Sequence, residues 1–325
     1  MKRAVRLLGL TVAIATTGLS IYLIGRSWRG QDLSAYATPA AASGIALAVG
    51  FYLLGVAVSA LGWRELLLGM GLRKRWMELC GIVSATQVGK YLPGNVAHHL
   101  GRGALALDRG IGPAPMVLTG LAEIGLLCIA SVVVGGASLL LSGRVQVLAD
   151  IGGLHVVGLV AGCAALGLLG LGMLKYVTPW LLWRFAPQQA RQTQVAAPGP
   201  ATMVRALLLY ALVYLVFGIG IIGMAGLLLP EAPRHGWLLL ASFSLAWIMG
   251  FATPGAPAGV GVREAVMLIL LSDAYTPADA SAVILAIRIA TTLGDVLLLP
   301  IGLWQLRATK PAMGAATRIT EKLPQ

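Results

Sequence analysis

With 325 residues, 58% of them hydrophobic and only 11% charged, and a mean hydropathy of +0.85, the chain is too apolar for a soluble domain, where about a quarter of residues carry charge. The net charge of +12 lies between apolar runs rather than in one basic patch, which sets nucleic acid aside and fits the positive bias of cytoplasmic membrane loops. The three cysteines, Cys80, Cys128 and Cys163, all sit in apolar segments at no metal-binding spacing and read as buried thiols.

In chain order, Lys2, Arg3 and Arg6 precede an apolar run to Gly25 that is too long for a signal-peptide core, which predicts an uncleaved first crossing at 5–25. Further crossings are predicted at 41–62, 114–141, 152–174, 204–229 and 280–304, each close to the ~20 residues that span a bilayer as helix. The segment 63–76, with Arg64, Arg73, Lys74 and Arg75 among leucines, reads as a short interfacial helix. The longest loop, 175–203, opens with the interfacial anchors Trp180 and Trp183 and continues as a Gln-, Ala- and Pro-rich linker. Residues 1–306 form one membrane domain, and 307–325 are expected to be a disordered cytoplasmic tail.

Two apolar stretches, 79–108 and 237–272, do not read as simple crossings. The first is broken at Pro93-Gly94, with Lys90 before the break and His98, His99 and Arg102 after it. The second is broken by Pro254, Gly255, Gly259 and Gly261, followed at once by Arg263 and Glu264. In both, an arginine follows the proline by nine residues. Helix breakers and charges persist at membrane depth where irregular backbone lines a polar cavity. Each stretch is therefore expected to be a re-entrant helical hairpin. Treating the first as a hairpin keeps Lys2, Arg73, Lys74, Lys175, Arg205 and Arg307 on one side, with Arg26, Arg29, Arg144 and Arg234 opposite. Both termini are then cytoplasmic. The second hairpin enters from the other face, a layout suggestive of an inverted repeat. The fold class is thus an all-α polytopic membrane protein, with about six full transmembrane helices and two opposed re-entrant hairpins.

Charges that adjoin the breaks are the candidate site. Lys90, Arg102 and Arg263 offer cations to a phosphate, and Arg288 stands on a predicted crossing. Glu123, Glu264 and Asp295 balance these charges or hold a proton. Internal pairs are the competing reading: Arg263 with Glu264 or Glu123, and Arg288 with Asp295 or Glu123. Arg109 reads as an interfacial charge that snorkels to the headgroups. The adjacent His98 and His99 have no third ligand at metal spacing. No P-loop, GxSxG or HExxH motif is present, so neither a metal, a cofactor nor a catalytic centre is expected.

The segments Val88-Gly89-Lys90-Tyr91-Leu92-Pro93-Gly94 and Thr253-Pro254-Gly255-Ala256-Pro257-Ala258-Gly259-Val260-Gly261-Val262-Arg263-Glu264 resemble the transmembrane flippase region of lysylphosphatidylglycerol synthases and their stand-alone flippase-like relatives. The likeness is specific at 84–124 and 250–295 and compositional elsewhere. It implies movement of a lipid between leaflets of a bacterial plasma membrane. The soluble domain that attaches the amino acid in that family is missing here, so the resemblance implies no synthase activity. It implies membrane lipids as partners, with a lipid-modifying enzyme encoded separately or a scaffolding role beside one as the alternative.

Overall fold

The computed structural model describes residues 36–91, 97–144, 198–253 and 259–309. Among these there are helices and turns but no strands: α1 (Pro39–Gly69), α2 (Trp76–Thr86), a 3-10 turn (Gln87–Tyr91), α3 (Ala97–Leu107), α4 (Pro113–Leu141), α5 (Pro200–Leu228), α6 (Gly236–Ala252), α7 (Val262–Leu271) and α8 (Pro277–Ala308). Four helices, α1, α4, α5 and α8, are long and apolar enough to cross a membrane. They coincide with the predicted crossings 41–62, 114–141, 204–229 and 280–304. The crossings expected at 5–25 and 152–174, the loop 175–203 and the residues from 310 onward lie outside the described residues.

Local signals set the helix starts. Thr38 and Thr276 accept hydrogen bonds from Ala41 N and Asp279 N, and a proline opens each helix where its missing N–H is no loss. Tyr36 donates to Asp279 Oδ1 at 2.8 Å, tying these two helix starts together. Helix α1 does not stop at residue 62. It continues to Gly69 and burials of Trp63, Leu66 and Leu67 are complete, so the expected interfacial helix at 63–76 is corrected to the end of α1, a turn at Gly71 (φ +79°) and the start of α2. The reason is packing: Trp63 Nε1–H donates to Thr119 Oγ1 of α4 at 3.0 Å, and Glu65 pairs with Arg205 of α5 at 3.3 Å.

The connections are tied together at each end by polar contacts. At one end, Lys74 donates to the Arg109 carbonyl, and Arg109 lies 3.6 Å from Glu78 while its Nη2 donates to Leu306 O at 2.6 Å and its Nη1 to Thr309 Oγ1 at 3.0 Å. Arg109, expected to snorkel, is therefore a largely buried cap on the C-terminus of α8. At the other end Arg144 donates to Asp273 O at 2.7 Å, and the His235 ring meets Tyr275 edge-on at 5.6 Å. The start of α2 thus lies beside the end of α3, and the start of α6 beside the end of α7.

Lipid tails give no hydrophobic drive between helices, so close backbone approach has to supply the contact. Outward-facing Leu54, Val133, Leu208, Ile219 and Val296 stand exposed as a lipid-facing surface would. The tightest crossing is α8 on α2, where Gly302 lies directly against Ala85 N and a Cβ on it would fall 2.8 Å from Gly81 O. Gly302→Leu is expected to push α2 off α8 and cost about 1–3 kcal/mol. A thermal-unfolding midpoint in detergent unchanged from wild type would contradict this docking.

Candidate functional site

Three of the four cations, Lys90, Arg102 and Arg263, lie on short elements, and the long helices carry Arg288, Glu123 and Asp295. On α8, Arg288 and Asp295 share a face but do not meet. Seven residues rise about 10.5 Å along a helix, and each finds a nearer partner on a short element. Asp295, fully buried, takes Lys90 Nζ at 2.7 Å, together with the hydroxyls of Tyr52 and Tyr91, each at 2.6 Å. Lys90 also donates to Tyr52 Oη at 2.8 Å, so α1, the 3-10 turn and α8 close on one carboxylate.

Arg102 of α3 meets Glu123 of α4, its Nη1 lying 3.0 Å from Oε1 and 2.8 Å from Oε2. Its guanidinium lies 3.8 Å from the centre of the Trp63 ring, a favourable stack for a weakly hydrated cation. Arg288 Nε pairs with Glu264 Oε1, and its Nη2 lies 3.3 Å from Gly259 O. The other oxygen of Glu264 accepts Gly261 N–H at 2.7 Å, which ties the first turn of α7 to its own entry. Gly261 holds φ +86° and Gly259 φ +69°, conformations that a side chain would strain.

The internal pairs weighed from the sequence are thereby corrected. Arg288 binds neither Asp295 nor Glu123, and Arg263 binds neither Glu264 nor Glu123. Arg263 makes no ion pair and no hydrogen bond among the described residues, and its buried Nε lacks a partner. Two glycines hold it. A Cβ on Gly250 would fall 2.6 Å from Arg263 Cγ, and one on Gly259 would fall 2.6 Å from Arg263 Nε. Its guanidinium stands 5.9 Å from the Trp247 ring.

All four cations border one cavity of about 210 Å³ between the long helices, with Glu123, His98 and His99 also in its wall. Two groups of rings in contact line the same cavity: Tyr52 on Phe217 and Phe217 on Phe243, and Tyr214 on Trp247, which stacks on Phe251. Three carboxylates pair with three of the cations, Glu123 in the wall and Glu264 and Asp295 behind it, which among the described residues leaves Arg263 without a paired carboxylate. His98 and His99 lie ring to ring at 3.9 Å in the same wall. Among the described residues no group of three metal-ligating side chains occurs. The breakers Pro93, Gly94, Pro254 and Gly255 lie outside the described residues, while Gly259 and Gly261 form the turn into α7.

Sequence reasoning missed Tyr52, Trp63, Trp247 and Gly250. For Tyr52 a signal existed, since a phenol in the middle of an apolar crossing calls for a polar partner. No protein-family model and no curated protein matches the chain.

Proposed function

We propose that this protein is an integral membrane lipid translocase, or lipid-binding transporter, that takes a phospholipid or similar amphiphile by an anionic or aminoacylated headgroup. The carrying observation is a cavity between membrane-length helices whose wall holds four cations and Glu123, with Asp295 and Glu264 pairing Lys90 and Arg288 from behind that wall. Charge at that depth is costly unless it is paired or used. In this reading the headgroup crosses through the cavity while the acyl chains stay among the outward apolar side chains.

The end contacts of the short helices support two opposed re-entrant hairpins, the first returning to the basic end through Lys74 and Arg109, the second to the other end through His235 and Tyr275. Helices of 11, 11 and 10 residues in α2, α3 and α7 reach about half of a ~30 Å hydrocarbon core. The basic end is then cytoplasmic, in a bacterial plasma membrane. The motif resemblance at the two breaks points the same way.

Proteoliposomes carrying a fluorescent phospholipid test this directly. Protein-dependent access of the inner-leaflet label to an added quencher is expected. No transfer above protein-free liposomes, together with stable capture of a lipid-modifying enzyme from native membranes, would favour the other reading, a subunit that presents lipid without moving it.

A further inference from the structure

Arg102 uses only one of its three nitrogens. Nη1 donates to Glu123 Oε1 and lies 2.8 Å from Oε2, whereas among the described residues Nε and Nη2 have no hydrogen-bond partner although the residue is 5% exposed. Those two nitrogens form the edge of a guanidinium that grips an oxygen acceptor with parallel bonds. Trp63 holds the plane of the guanidinium through its ring, and is itself fixed by its bond to Thr119. One helical turn earlier on the same face of α3, His98 Nδ1 is also buried without a partner. Glu123 Oε2 beside them also lacks a hydrogen bond, and orphaned polar atoms are costly, so four in one wall of one cavity mark a place for ligand atoms.

The charge balance decides what kind of atom. Glu123 already neutralises Arg102, so the Arg102 edge takes an uncharged oxygen. A hydroxyl suits it best, because it accepts from the guanidinium and donates to an imidazole nitrogen. Arg263, which has no carboxylate, takes the anion.

We infer that the cavity reads a headgroup at two points, a singly charged phosphodiester at Arg263 and a neutral hydroxyl at Arg102 and His98, and so selects hydroxylated monoanionic lipids over amine-bearing ones. This rests on the lipid-binding reading above and narrows it: an added ammonium would meet a wall with a net positive charge, whose one carboxylate, Glu123, is already ion-paired with Arg102. The aminoacylated headgroups that the reading above admits are thereby disfavoured.

The test is native mass spectrometry of the full chain in mild detergent, titrated with four probes: phosphatidylglycerol, phosphatidylethanol (the same charge without hydroxyls), phosphatidylethanolamine and lysyl-phosphatidylglycerol. Wild type is expected to bind phosphatidylglycerol at least about tenfold more tightly than each of the others, the scale of one charge-assisted hydrogen bond. Arg102→Lys keeps the charge against Glu123 but removes the two-nitrogen edge, and should erase the preference over phosphatidylethanol. Arg263→Gln should weaken binding of all four lipids, which share the phosphodiester. Equal binding of phosphatidylglycerol and phosphatidylethanol by wild type, or preference for the lysyl lipid, overturns the two-point inference and leaves lipid binding intact. Failure to bind any of the four lipids overturns the proposed function and the inference with it. Binding of soluble glycerophosphoglycerol without any of the lipids would support the headgroup chemistry and overturn the lipid reading.

Discussion

Asp295→Leu is expected to be the most damaging single substitution around the cavity, lowering stability by about 3–5 kcal/mol. The magnitude follows from comparing two effects. Interhelical hydrogen bonds in membrane proteins average only about 0.6 kcal/mol, so losing those from Tyr52 and Tyr91 is a small part of the cost. The larger part is the Lys90 ammonium, left between the Tyr52 and Tyr91 rings with no counter-charge. Lys90→Met alone has the mirror defect, a fully buried carboxylate served only by two phenols. The double substitution Lys90→Met/Asp295→Leu removes both charges and should recover part of the loss, with a coupling of roughly 2 kcal/mol in a double-mutant cycle. Unfolding midpoints of the four proteins in one detergent decide this. If the double variant falls as far as the two single losses added together, the pair contributes no coupling and the wall is held by packing alone.

The parts of this fold that were legible in the sequence are those set by one dimension. Apolar runs of bilayer length announce α1, α4, α5 and α8, because a spanning helix has to satisfy its own backbone and present carbon all round. The two breaks were legible for the converse reason, since Pro, Gly and charge inside an apolar run have few physical excuses. The end of α1 was not legible. Arg64 and Glu65 look like the start of an interface, and only the contacts of Trp63 with α4 and of Glu65 with Arg205 carry the helix further.

Pairing was beyond the sequence for a related reason. Spacing on one helix suggests Arg288 with Asp295. The actual partner of Asp295 is Lys90, 205 positions away, and no local pattern encodes that meeting. The seven charged candidates were identifiable as uncomfortable residues, but which of them is left without a partner depends on three pairings made across five elements. The slot for Arg263 is likewise tertiary. Gly259 belongs to the visible glycine-rich turn, whereas Gly250 lies inside α6 and looks like any helix glycine until the arginine is seen against it.

The four cations should therefore separate by phenotype. Removing Lys90, Arg102 or Arg288 strands Asp295, Glu123 or Glu264 in a buried wall, so each loss is expected to appear first as instability. Arg263 has no carboxylate to strand. Arg263→Gln should leave the unfolding midpoint within about 2–4 °C of wild type, the shift expected for a change near 1 kcal/mol. Its effect should fall on headgroup transfer, with a loss of about 10- to 100-fold in proteoliposomes, the range for one charge-assisted hydrogen bond to phosphate. Gln keeps part of the length of the side chain between Gly250 and Gly259, which separates the charge from the space it fills. Transfer at the wild-type rate by a folded Arg263→Gln protein would remove Arg263 from the site. The opposite pattern, a protein that no longer folds, would mean that Arg263 holds the α6–α7 break together through its fit against the two glycines and its approach to Trp247, and that its charge is structural.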